Sequence, residues 1–218
     1  MDLEAEAITV DRGGRLALSA PAFAVRAGEA ARLTGPNGAG KSTLLRALAG
    51  LLPIRSGDAR LGGIRLREDR EAFTQSVAYA GHRDAVKPAL TVRENLAAWA
   101  ALHRRDGVDA ALARFAIDHI ADAPAAFCSA GQQRRLGLAR LLVTGRPVWL
   151  LDEPTVSLDA ASAVAFAEIV AGHCAAGGLA IAATHIDIGL PKGPEISVAP
   201  PPRSQSDASD PFLAGDWR

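Results

Sequence analysis

With 218 residues, 49% of them hydrophobic, the chain is long enough for one domain with a sizeable core and a small subdomain. Lys plus Arg and Asp plus Glu each total 24, and the resulting net charge of zero argues against broad attraction to nucleic acid or to an acidic membrane surface. Its 2 cysteines, Cys128 and Cys174, are too few for a disulfide framework and suit a reducing compartment.

The opening residues, Met1-Asp2-Leu3-Glu4-Ala5-Glu6, are acidic and lack the basic and apolar stretches of a signal peptide. No run approaches the ~18 consecutive apolar residues needed to cross a bilayer. The expectation is a protein soluble by itself, which a partner must hold at any membrane where it works. Short strand-like pieces follow at Ala7–Val10, Arg15–Leu18 and Ala22–Val25, separated by Gly13-Gly14, Pro21 and Gly28. They suggest a small antiparallel sheet leaning on the core. Glu29–Thr34 reads as another strand.

Gly35-Pro36-Asn37-Gly38-Ala39-Gly40-Lys41-Ser42, followed by Thr43, fits the phosphate-loop pattern G-x-x-x-x-G-K-[ST]. The helix Ser42–Ala49 follows it and stops at Gly50. Strand, glycine loop and helix give the motif its credibility. Glycines let the backbone wrap a phosphate so that several N–H groups point inward, and the helix adds its free N–H groups and the positive end of its dipole. In this pattern Lys41 pairs with the β- and γ-phosphates of ATP, and the Ser42 hydroxyl ligates Mg²⁺.

Beyond the loop, Ala59–Ile64 and Ser76–Ala80 are expected strands, the second ending at Gly81-His82. From Pro88 to Phe127 the pattern turns helical. Thr91-Val92-Arg93-Glu94 is a capping box that opens a helix through Leu102, and Asp109–Ile120 forms another before Pro124 breaks the pattern. Ser129-Ala130-Gly131-Gln132 is a second capping box, starting a helix with Leu136, Leu138, Leu141 and Leu142 on its apolar side. Val148–Leu151, between Pro147 and Asp152, reads as a buried parallel strand. Ala160–Cys174 is helical, Leu179–Ala183 is a further buried strand, and His185 lies just beyond it. Strands alternating with helices imply a parallel sheet with right-handed crossovers. The stretch Lys192–Asp210, rich in Pro, Ser and Asp, is expected to be largely irregular, with Phe212–Trp217 apolar enough to dock.

An apolar strand ending in Asp152-Glu153 is the second half expected of a phosphate-loop nucleotidase. Asp152 would hold Mg²⁺ through water, and Glu153 would orient or deprotonate the attacking water. In order, the phosphate loop, Ser129-Ala130-Gly131-Gln132-Gln133-Arg134, Leu151-Asp152-Glu153-Pro154, Ser157-Leu158-Asp159 and Thr184-His185 resemble the ABC-type ATPases over about Ala7 to His185. The resemblance implies an α/β P-loop NTPase core with a parallel sheet, an N-terminal antiparallel β-subdomain and an inserted helical subdomain. In residue terms this is an ATP-binding domain over 1–190, the helical insert over about 84–134, and a tail over 191–218. It further implies a head-to-tail dimer, in which Ser129, Ala130, Gly131 and Gln132 of one copy cap the ATP held by the other. His185 becomes the switch histidine at the γ-phosphate, and Asp159 belongs to the loop that couples the two sites. The helical insert would meet a polytopic membrane subunit.

Departures narrow the resemblance. His82 stands where relatives carry a coupling glutamine, although a neutral imidazole can still enter the Mg²⁺ or water shell. Cys128 stands for the usual leucine as a small apolar substitute, and Ala130 replaces the first signature glycine. Arg12 occupies the region of the aromatic residue that stacks on adenine; its guanidinium plane can stack there or stay solvated. Together with Tyr79-Ala80-Gly81-His82, Lys87–Leu96 and Asp210–Trp217, these residues resemble one branch, the ATP-binding subunits of cytochrome c maturation transporters, the haem exporter ATPases. That branch implies a peripheral subunit on the cytoplasmic face of the inner membrane, whose ATP hydrolysis drives release of a haem-loaded chaperone. An ATPase for another exporter with different cargo is the alternative, since cargo contacts lie in the membrane subunit. A soluble ABC-type protein of translation or DNA repair fits less well, because those usually join two cassettes or insert a coiled coil. His103, His119 and His173 stand in no ligand motif and read as ordinary surface or core residues.

Overall fold

The N-terminal strands are short because turns and Pro21 interrupt them: β1 (Leu3–Ala5), β2 (Thr9–Arg12), β3 (Arg15–Ser19) and β4 (Phe23–Val25). In this computed structural model, which describes residues 1–184 and 189–200, they are followed by β5 (Ala30–Thr34), α1 (Lys41–Leu48), β6 (Ala59–Leu61), β7 (Ile64–Arg65), α2 (Arg70–Gln75) and β8 (Val77–Ala80). Then come α3 (Val92–Leu102), α4 (Val108–Arg114), α5 (Ala130–Thr144), β9 (Val148–Asp152), α6 (Ala160–Ala175), β10 (Leu179–Ala183) and β11 (Glu195–Ser197). His185 and the apolar segment Phe212–Trp217 lie outside the described residues.

One sheet carries the site. Its order is β11-β5-β10-β9-β8, and every neighbouring pair is parallel. β9 and β10 are buried at every position, as their unbroken apolar runs require. Alternation divides them between two cores: Val148, Leu150, Leu179 and Ile181 pack with α1 and the N-terminal strands, while Trp149, Leu151, Ala180 and Ala182 face the helices. Each fully buried Leu or Ile contributes roughly 1.5–3 kcal/mol through the area it removes from water, so this two-sided burial fixes the strand ends that form the site.

The antiparallel part is a sheet of order β4-β1-β6-β7 with a separate β2–β3 hairpin. The expected single strand Ala59–Ile64 is instead a hairpin, because Gly62 and Gly63 both adopt positive φ, 55° and 97°, in the turn joining β6 to β7. The expected helix Asp109–Ile120 ends at Arg114, since Ala116 takes φ 50°, and a 3-10 turn at Asp118–Ile120 follows. Both capping boxes form: Glu94 N donates to Thr91 Oγ1 while Thr91 N donates to Glu94 Oε2, and Ser129 with Gln132 repeat the pattern. The tail is not wholly irregular, for Glu195–Ser197 adds an edge strand to β5. Helices α3 and α4 pack against α5, which places the helical block beside β8.

Candidate nucleotide site

The loop between β5 and α1 is built by glycines at positive φ: Gly35 at 139°, Gly38 at 80° and Gly40 at 100°. A β-carbon on Gly35 would run into the Val198 carbonyl oxygen, and Val198 N donates to Thr34 O at 2.9 Å. The chain leaving β11 thus braces the start of the loop. At Gly40 a β-carbon would fall 2.9 Å from Leu18 Cδ1. Helix α1 begins on Gly40, with no side-chain cap and no acid in its first turn, so its N–H groups and positive dipole end are available to an anion. Pro36, Asn37 and Gly38 are exposed, whereas Ala39 is buried beneath them. Lys41 is only 8% exposed, and its Nζ donates to the carbonyls of Gly35 at 2.7 Å and Pro36 at 3.2 Å.

β9 delivers the acid. Asp152, 3% exposed at the strand end, accepts from Ser42 Oγ at 2.8 Å through Oδ1 and from the Tyr79 hydroxyl at 3.0 Å through Oδ2. Arg46 Nε donates to that same phenol oxygen at 3.3 Å. Burial pushes the Tyr79 phenol above its ordinary value, against the opposing pull of the Arg46 hydrogen bond. Glu153 follows with φ 49°, a left-handed conformation that costs a non-glycine residue on the order of 1 kcal/mol or more. It is held there from both sides: its N–H donates to Ala183 O at 2.9 Å, and its carbonyl accepts from Arg134 Nη2 at 2.7 Å.

Arg134 is the residue that sequence reasoning passed over. It is 3% exposed and donates to the carbonyls of Pro154 at 2.9 Å and Gly81 at 2.9 Å, as well as pairing with Asp84 at 2.7 Å. One guanidinium therefore ties α5, the turn after β9 and the segment after β8 into a unit. Gly137 permits the approach, since a β-carbon there would lie 2.6 Å from Asp84 Cβ. Tyr79 likewise carries no signal of its own in the sequence beyond its place in Tyr79–His82.

The remaining expected site residues are distributed around this centre. Ser129 and Ala130 are exposed at the start of α5, where Gln132 N donates to Ser129 Oγ at 3.3 Å. Neither Ser129 nor Gln132 is hydrogen-bonded to the phosphate loop of the same chain among the described residues. Gly131 sits against the next loop, with a β-carbon position 3.1 Å from Ser157 O. Asp159 caps α6, accepting from Ser162 N at 2.7 Å, and this backbone hydrogen bond holds its carboxyl below the usual range. His82 is exposed just past β8, and Arg12 is exposed at the end of β2. His173 stacks on Trp149 with ring centroids 3.8 Å apart, and His103 stacks on Trp99 at 6.2 Å; both serve packing.

A sequence profile described as ABC transporter matches residues 18–156, which takes in the phosphate loop, α5 and Asp152-Glu153. The chain belongs to the ABC transporter family. It is one of that family's ATPases, with a P-loop NTPase core. It is 52% identical over 198 residues to the "Cytochrome c biogenesis ATP-binding export protein CcmA" of Rhodobacter capsulatus, covering 91% of this chain and 87% of that one. The protein of the same name from Cereibacter sphaeroides is 47% identical, covering 97% of this chain and 98% of its own length. Among solved structures, a dimeric ATP-binding cassette in a post-hydrolysis state with ADP and Pi superposes with a TM-score of 0.79 at 22% identity, over 93% of this chain and 97% of that chain. At that identity the likeness speaks for the fold.

Proposed function

We propose that this chain is the ATP-hydrolysing subunit of an export complex serving cytochrome c biogenesis, acting at the cytoplasmic face of the inner membrane beside a polytopic partner. The observation that carries the chemistry is the 2.8 Å hydrogen bond from Ser42 to Asp152, which joins the phosphate loop to the acid at the end of β9. The pathway comes from the names of relatives near half identity over most of the chain.

The donor set fits Mg²⁺. A serine hydroxyl and a carboxylate are hard oxygens, and Mg²⁺ is ordinarily held by one or two such groups with phosphates and waters rather than by a full protein cage. Ser42 and Asp152 would hold the ion, which would supply charge neutralisation to the phosphates. Lys41, with the N–H groups of the loop and of α1, grips the phosphates. Glu153 orients or deprotonates the attacking water, and hydrogen bonds hold its backbone on both sides. The signature residues Ser129–Gln132 act on the nucleotide of a second copy. The insert over about 84–134 faces the membrane subunit, and Asp159 and His82 belong to the coupling loops.

Glu153→Gln tests the chemistry, because it keeps shape and removes the base. ATP should still bind, while turnover with the membrane partner present should fall by about 10²-fold or more. Near-normal hydrolysis would overturn the role of Glu153. The pathway is tested by a covalent-haem stain of cytochromes in a strain lacking the gene, rescued with wild type or Glu153→Gln. Loss of c-type haem that only wild type restores supports the proposal. Persistent staining in the deletion strain leaves an ATPase whose transporter carries something else.

A further inference from the structure

In the sequence Tyr79 carries no role of its own beyond its place in the stretch Tyr79–His82, yet its hydroxyl reaches the acid at the end of β9. We propose that Tyr79 is a positioning residue for the divalent cation of the nucleotide site: it holds one carboxylate oxygen of Asp152 so that the other stays with Ser42. The inference rests on the ATPase reading above and concerns how that site is held in shape.

The register places it. Tyr79 on β8 pairs with Leu150 on β9, two residues before Asp152 and on the same face of the sheet. Its hydroxyl is 3.0 Å from Asp152 Oδ2, and Ser42 Oγ is 2.8 Å from Oδ1, so each carboxylate oxygen has its own donor and the group is fixed against rotation. Arg46 Nε lies 3.3 Å from the phenol oxygen. A guanidinium only donates, so the phenol accepts from Arg46 and turns its own proton to Asp152. The direction of the chain is therefore set: Arg46 to Tyr79 to Asp152.

The backbone that carries the ring is tied down. Tyr79 O accepts from Arg140 Nη2 at 2.6 Å, and the Arg140 guanidinium lies 5.2 Å from the centroid of the Trp99 ring. Gly81 leaves room for the ring, since a β-carbon there would fall 2.8 Å from Tyr79 Cε1. Asp152 is 3% exposed, so bulk water does not replace a lost donor. Outer partners of this kind fix the orientation of a metal-binding carboxylate and thereby its affinity.

The experiment compares wild type with Tyr79→Phe, which keeps the ring and removes the hydroxyl. Mn²⁺ binding to the ADP-loaded full chain is titrated by electron paramagnetic resonance, and ADP binding without divalent ion is measured by calorimetry. Mn²⁺ should bind about tenfold more weakly to the variant, the order expected when an outer partner of a metal ligand is removed. Metal-free ADP affinity should be unchanged. A second variant, Arg46→Met, leaves Tyr79 in place but removes the group that orients its proton, and should show a smaller loss of the same kind. Equal Mn²⁺ affinity in wild type and Tyr79→Phe overturns the positioning role, as does a variant that loses metal-free ADP binding equally. A wild-type chain that binds no ADP overturns the nucleotide reading itself, and this inference with it.

Discussion

Arg134 and Arg135 stand side by side in the chain, yet their surroundings differ completely. Arg134 is buried and spends its guanidinium on Asp84 and the backbone of Gly81 and Asp152–Pro154, whereas Arg135, half-buried, reaches the carbonyls of Phe115 and Ala116 from the other side of α5. Arg134→Ala should destabilise the chain by about 3 kcal/mol, because it strands a carboxylate and several carbonyls at once. Arg135→Ala should cost below about 1 kcal/mol, as for a half-solvated hydrogen bond. Denaturant midpoints of the two variants decide it, and equal losses would sink the distinction. Lys41→Ala should weaken ATP binding by removing the charge on the phosphates, which calorimetry reads directly; unchanged affinity would count against the loop. Lys41, Ser42, Asp152 and Glu153 were legible because their chemistry needs fixed spacings. Arg134 and Tyr79 were not, because an arginine beside another arginine and a tyrosine in a strand look the same whether buried or exposed.

Among the elements, those with a local cause were readable. The boxes at Thr91 and Ser129 start helices as written, since the cap is a reciprocal bond between residues three apart. Elements that depend on a distant partner escaped: β1 pairs with β4 and β6, and β11 lies on β5, in a stretch whose prolines argue for loop. Asp69 caps α2 by accepting from Ala72 N at 2.9 Å, a start signal overlooked in a charged run. The caps also bear on acid stability. Backbone hydrogen bonds lower the carboxyls of Asp159 and Glu94 below their ordinary values. A depressed folded value means that the stabilisation is complete above the unfolded pKa, about 4, and fades as pH falls through the lower folded one. Asp159→Asn retains a capping oxygen without a titrating proton, so its unfolding midpoint should fall less steeply than wild type between pH 5 and 3. Parallel pH profiles would show that the Asp159 bond adds nothing to folding.

At the scale of the whole molecule, the phosphate loop and the start of α5 each present exposed residues: Pro36, Asn37 and Gly38 on one, Ser129 and Ala130 on the other. Among the described residues the side chains of Ser129 and Gln132 bond to each other's backbone N–H groups, and Ser129 stays exposed at the helix start. The proposed head-to-tail pair brings it onto the nucleotide of the second copy. A two-fold pair of this kind makes a specific prediction about mixtures. Lys41→Ala spoils the loop and leaves the signature; Ser129→Arg spoils the signature and leaves the loop. Each variant alone builds only defective sites. In a mixed pair both lesions fall in one site, and the other site combines an intact loop with an intact signature. Random pairing of equal amounts should therefore restore about a quarter of wild-type ATPase sites by simple counting of two-fold pairs. The recovered rate will sit below that figure if Asp159 couples the two sites, so Asp159→Asn added to both variants should bring it closer to the count. No recovery on mixing, with both variants folded and paired, would exclude sites shared between copies.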